Sequence, residues 1–187
     1  MRVPNTNTRF RMLVTDTSIR HLDHNELDFS KQKAIEFNLP YINKGVDSFE
    51  LRIWVNSMII PHFATILRFS QDKWNAYDYM YYENGKGIDS TIIKKRGLPN
   101  DIAKLTAYLC NEDVLNLPSQ DAIPNFHDNI ADGQTCFIEI ATKNFYKALD
   151  YHCPEHFNDS YNKKFMEVIN FINRYLPVYT PLCLPSK

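Results

Sequence analysis

FELRIWVNSMIIPHFATILRFS, residues 49–70, alternates apolar and polar side chains twice, on either side of a break that holds Pro61. Phe49, Leu51, Ile53 and Val55 share one parity, and Glu50, Arg52 and Trp54 share the other. A period of two is the mark of a half-buried strand. After the break, Phe63, Leu67 and Phe69 oppose His62, Ile66 and Arg68, so a second strand follows and the pair reads as a hairpin. Pairing Val55 with Phe63 sets Glu50 opposite Arg68, Arg52 opposite Ile66 and Trp54 opposite Ala64. That register puts opposite charges across the ladder and keeps the apolar residues on the other side.

The next segment, KWNAYDYMYYENGKG (residues 73–87), extends the sheet. Gln71-Asp72-Lys73 turns the chain into a third strand, 74–82, dense in aromatics. Pairing Ser70 with Trp74 adds Trp74, Ala76, Asp78, Met80 and Tyr82 to the face of Arg52 and sends Tyr77, Tyr79 and Tyr81 to the apolar face. A turn longer by one residue reverses the assignment. The first arrangement is preferred because it keeps Asp78 out of the core, beside Arg52 and Arg68. Asn84-Gly85 supplies the positive φ that a tight hairpin needs and leads to a fourth strand near Ile88–Lys95.

A helix follows, with Pro99 in its first turn and Ile102, Leu105, Tyr108 and Leu109 at helical spacing. Residues 111–133 read as a long loop, and TCFIEIA (135–141) and NFYKALDYH (144–152) as two further strands. In DSYNKKFMEVINFINRYL, Phe165, Val168, Ile169, Ile172, Tyr175 and Leu176 trace one apolar stripe, with Asp159 or Ser160 as cap and Pro177 as stop. Two helices are enough to cover one face of an alternating sheet. The expected fold is α+β: a roughly six-stranded antiparallel meander sheet with two helices packed on one face. Residues 1–45 form a weakly periodic lead-in with room for one strand, 46–176 a single domain, and 177–187 a proline-rich tail.

The 187-residue length suits one domain that needs neither metal nor disulfide to close its core. Net charge is −1, and the densest basic cluster, Lys94-Lys95-Arg96, is only three residues long. A nucleic-acid partner is therefore not expected. No apolar run reaches membrane-spanning length. MRVPNTNTRFRML has no apolar signal region, so the chain as written reads as cytosolic, or as exported if a signal once preceded Met1. Cys110, Cys136, Cys153 and Cys183 are too scattered for a zinc finger and read as free thiols ahead of disulfides.

A nucleophile elbow, a P-loop, a dinucleotide turn and HExxH are all absent, so no cofactor is expected. His21-Leu22-Asp23-His24 and His152-Cys153-Pro154-Glu155-His156 offer metal-ligand types at close range, yet both read as surface loops. A Cys153/His152 nucleophile pair is opposed by the strand pleat, which points neighbours to opposite faces.

What stands out is the face that the helices leave bare. Glu50, Arg52, Arg68 and Asp78 form a charged lattice there, interspersed with Trp54, Trp74 and Tyr82. Arg, Trp and Tyr are the types enriched at binding hot spots. Arg52, Trp54, Arg68, Trp74, Asp78 and Tyr82 are thus the candidate interaction residues. The competing reading is a solvated face, or one covered by the N-terminal segment.

FELRIWVNS, ATILRFSQDKWNAYDYMYYE, FIEIATKNFYKALDYHCPEHF and the closing amphipathic helix together resemble a family of small bacterial proteins. Its marks are F-E-x-R-x-W in the first strand, here Phe49 to Trp54, and Y-x-x-P-E near the last, here Tyr151 to Glu155. The resemblance spans Phe49 to Leu176 and implies an α+β domain; the family has no assigned activity, and many members carry export signals. The function expected from residues and resemblance together is a non-enzymatic domain that binds another protein, for instance an immunity protein that neutralises a toxin. The alternative is a small-ligand carrier or enzyme with a pocket between sheet and helices.

Overall fold

A computed structural model describes residues 24–57, 62–143 and 145–178. Six strands form one antiparallel sheet: β1 (Phe49–Ser57), β2 (His62–Ser70), β3 (Lys73–Asn84), β4 (Gly87–Lys95), β5 (Gln134–Thr142) and β6 (Phe145–His152). Their spatial order is β4-β3-β2-β1-β5-β6. The first four strands are a meander, as the alternation and turn chemistry require. β5 then returns to the free side of β1 instead of continuing outward from β4. The β4–β5 connection must cross the sheet, and it carries helices α2 (Ile102–Leu109) and α3 (Glu112–Leu115) with it.

Register in the first hairpin follows the charge pairing: Glu50 lies opposite Arg68, Arg52 opposite Ile66 and Val55 opposite Phe63. On the side of Leu51 and Ile53, the core is filled by Leu105 and Leu109 of α2 and by Phe165, Val168, Ile169 and Ile172 of α4 (Ser160–Tyr175). Asp159 caps α4 by accepting hydrogen bonds from the Tyr161 and Asn162 amides, and Pro177 follows soon after its end. Tyr151 of β6 stacks on Phe165 at 3.9 Å, and Tyr108 stacks on Phe171 at 3.7 Å.

The opposite face is not bare. Helix α1 (His24–Glu36) and the segment after it lie over it. Phe29 packs edge-on against Trp54 and Phe137, while Phe37 packs against Trp54, Tyr79 and Tyr81. The architecture is therefore three layers, with helices on both faces rather than one. Residues 24–36 of the lead-in form a helix, with core contacts from Phe29, Ala34 and, just after it, Phe37; residues 1–23, where the expected strand could also fall, lie outside the described residues. Asn38 ends α1 in the left-handed region (φ 51°), with its amide bonded to Ile35 O and the Leu39 amide to Ala34 O. That is the usual helix-stopping pair of bonds, with asparagine in the position glycine most often takes.

Gly45 brings the following segment against the β5–β6 turn. A Cβ there would meet Thr142 O at 2.6 Å and Lys143 O at 2.8 Å, and its φ of +90° suits glycine. The Val46 amide then bonds to Thr142 O, which fixes how the chain passes from α1 into β1.

Candidate binding surface

Arg52 and Trp54, the centre of the expected interaction face, are both 0% exposed beneath α1. Trp54 Nε1 donates to Glu139 Oε2 at 2.8 Å, and Glu139 Oε1 accepts from Ser30 Oγ of α1 at 2.5 Å and from the Tyr146 hydroxyl at 2.9 Å. Arg52 Nε donates to Glu50 Oε1 at 2.7 Å, and its Nη2 donates to Pro40 O. Arg68 completes the cluster with two bonds to Glu50, at 2.6 and 3.0 Å, and keeps about a third of its side chain exposed. The Glu50 carboxylate beside it holds the Arg68 guanidinium further into its charged form than usual. Burial of Glu50 and Glu139 is tolerated because all four of their carboxylate oxygens accept hydrogen bonds, whereas Arg52 is met at Nε and Nη2 and its buried Nη1 has no partner.

The third strand lies one step away from its expected register. Ser70 pairs with Lys73 and Phe69 with Trp74, so the turn is only Gln71-Asp72. Both residues have positive φ, 50° and 58°, the geometry of a two-residue hairpin turn made without glycine. Trp74, Ala76, Asp78, Met80 and Tyr82 consequently share the face of Leu67 and Phe69, away from Arg52. Trp74 packs against Phe69 (5.0 Å) and Phe49 (5.8 Å) as part of the core margin. Tyr79 and Tyr81 lie beneath α1, where burial raises both phenols above their ordinary range. The six candidate residues thus divide between two faces. Arg52, Trp54 and Arg68 lie on the α1 side, and Trp74, Asp78 and Tyr82 on the other.

Asp78 nevertheless belongs to an open site. Beyond the reach of α2 and α4, the end of the sheet at β2, β3 and β4 carries a half-open groove of about 290 Å³. Phe63, Met80 and Ile92 give it an apolar floor, and Thr65, Asp78, Lys94 and Arg96 give it polar walls. Pro177 and Val178, just past α4, close one side. The Thr65 hydroxyl donates to Asp78 Oδ1 at 2.7 Å, and Arg96 Nη1 bridges to the same oxygen at 2.9 Å while Nη2 holds Pro177 O at 2.8 Å. Those bonds anchor the Arg96 head and leave Lys94 without an ion pair among the described residues.

Large apolar side chains protrude here: Phe63 and Ile92 at the floor of the groove and Ile93 on the reverse of β4. The other edge of the sheet is treated differently. Gln120 bonds the backbone of His152 through both its amide atoms, and Ser119 Oγ accepts from the Asp150 amide. Segment 118–122 therefore screens β6, whereas β4 is exposed from Asp89 to Lys95. Sequence alternation could not reveal this corner, because Ile92 and Ile93 look like any strand interior. Only the strand order shows that β4 is an edge.

Among the described residues no three His, Cys, Asp or Glu side chains are placed to hold a metal. His152 pairs instead with Asp128 at 2.6 Å; His21 and Asp23 lie outside the described residues. Cys110 and Cys136 are free, and burial pushes the Cys110 thiol up to about 11. Cys153 is disulfide-bonded, contrary to the expectation of free thiols. No described helix is long and apolar enough to cross a membrane. No family model, curated protein or solved structure matches this chain.

Proposed function

We propose that this protein is a non-enzymatic binding domain for another protein, and that the partner seats on the β4 corner rather than on the face beneath α1. The observation that carries the reading is the pair Phe63 and Ile92, 44% and 45% exposed on the apolar floor of a groove with polar walls. Exposed apolar surface of this kind, rimmed by polar groups, marks interaction sites. A toxin-neutralising immunity role is one concrete form: the domain needs only a rigid, shaped surface, and a three-layer sheet supplies one.

Affinity capture from the source cells tests it with three proteins: the wild type, Phe63→Ser/Ile92→Ser, and Tyr161→Ala. Tyr161 is also exposed but stands at the start of α4. A partner retained by the wild type and Tyr161→Ala but lost from the double variant supports the reading. Equal recovery by all three removes the β4 corner from consideration.

The groove also supports a second reading, a small-ligand carrier, since about 290 Å³ is close to the low end of ligand pockets. Its half-open form favours a protein segment over an enclosed small molecule.

A further inference from the structure

We infer that the occupant of the β4 corner is an acidic, extended segment of the partner, which adds to β4 as a further strand and sets alternate apolar side chains into the groove. The inference rests on the protein-partner reading above and specifies its chemistry.

Three observations lead to it. The first is the free edge. Among the described residues, β4 pairs only with β3, and from Asp89 to Lys95 it is exposed, while β6 has its edge screened by Ser119 and Gln120. A strand edge without cover presents a row of amides and carbonyls that an extended chain can pair with.

The second is the pleat. Ile92 lies opposite Met80 and Lys94 opposite Asp78, so both belong to the groove side of the sheet. A strand laid alongside β4, about 4.8 Å away, would place every second side chain next to Ile92, at the rim of the apolar floor. The groove would then read alternate residues of the segment, and the backbone bonds would supply affinity.

The third is charge. Lys94 on the groove side and Lys95 on the reverse make no ion pair among the described residues, and Arg96 follows directly. An added strand would meet a cation whichever way its polar side chains point, so acidic residues fit and basic ones are repelled. The same cations oppose a second copy of this chain. A register shift between Tyr82 and Glu83 also distorts the opening of β4, a device that discourages edge-to-edge pairing of like strands. The usable edge is Ser90–Lys95.

Isotope-labelled protein read by NMR tests the inference with three probes: an end-capped hexapeptide of alternating glutamate and valine, its lysine–valine counterpart, and sodium octanoate. The glutamate peptide, at millimolar concentration, is expected to slow exchange of the outward amides of residues 90–95 by roughly tenfold and to shift the Met80 methyl signal. The lysine peptide is expected to do neither, and Lys94→Glu/Lys95→Glu to reverse the preference. Equal effects from both peptides, or none from the glutamate peptide, would overturn it. Octanoate moving Met80 as strongly, with amide exchange unchanged, would assign the groove to a small anion instead. Self-association without peptide, through the same amides, would assign the edge to a second copy. The two readings fail separately. A captured partner lost from Phe63→Ser/Ile92→Ser but held by Lys94→Glu/Lys95→Glu leaves the corner as the site and ends strand addition by an acidic segment.

Discussion

Over β1 and β5 the two faces of this sheet come from the same strands and are both buried, yet they are built from opposite materials. Toward α2 and α4 the layer is Leu51, Ile53, Leu67, Ile138 and Ile140, closed by apolar helix stripes. Toward α1 it holds Glu50, Arg52 and Glu139, each at most 1% exposed, among Trp54, Phe137 and Tyr146. The apolar face is held by area removed from water, which tolerates small rearrangements of partners. The charged face is held by mutual satisfaction: each carboxylate is acceptable only while its donors remain in place. Polarity along a strand therefore does not say which face is solvated. It says only what a covering layer would have to satisfy.

The sharpest way to break the comparison is to remove one member of the charged face. Arg52→Ala leaves Glu50 buried with Arg68 as its remaining cation, and a loss of about 3–5 kcal/mol is expected. Removing both charges in Glu50→Gln/Arg52→Met should cost less than half of that, because no buried ion is stranded. Urea midpoints of the two variants decide it. If the double variant is as unstable as the single one, packing rather than pairing holds this face.

A second test compares carboxylates on one side of the sheet. Glu50 and Glu139 have their partners, but Asp150, on the side of Phe137, has an Oδ1 with none. Burial, reinforced by Asp121 and only partly offset by His152, pushes its carboxyl up to about 6 from an ordinary 3.8. The folded state thus holds this proton more tightly than the unfolded chain. Its contribution to stability is full below about pH 4, falls as pH rises toward 6, and is flat above that. The whole change amounts to roughly 3 kcal/mol at most. Asp150→Asn should flatten unfolding free energy over that window, and an unchanged slope would show that another group titrates there.

Much of this arrangement was legible in the residues. The β1–β2 register followed from placing Glu50 against Arg68, because a one-residue slip would have set apolar Leu51 and Ile53 on the face of the charged residues. The α4 stripe and its Asp159 cap were equally plain, since helical periodicity and capping are local. What escaped was non-local. Nothing in Phe29 or Phe37 announces that they will cover Trp54, and α1 has too weak an apolar stripe to signal a docked helix. The groove escaped for the same reason. Its floor joins Phe63, Met80 and Ile92 from three strands, and it becomes a site only because α4 ends short of it.

The smallest effect tests a local misreading, the turn between β2 and β3; the other, Pro99 in the first turn of α2, gives way to Asp101 as the cap of a helix that begins at Ile102. Gln71-Asp72 adopts positive φ at both residues without the asparagine or glycine that normally announces it. Lateral pairing on both sides holds it there: Ser70 with Lys73 and Phe69 with Trp74 fix the strands, and the apolar face fixes Phe69 and Leu67 inward. The backbone strain is then carried by the sheet rather than relieved by sequence. Replacing the pair, Gln71→Asn with Asp72→Gly, should stabilise the protein by about 1 kcal/mol and leave every pairing in place, since those residues accept positive φ at little cost. A three-residue turn, which would move Trp74 and Asp78 to the α1 face, draws no such gain from that pair. Thermal unfolding of the double variant, with Trp74 fluorescence as a check that its setting against Phe49 is unchanged, separates the two. No gain in stability, or a shifted Trp74 signal, would return this strand to the other register and take Asp78 out of the groove.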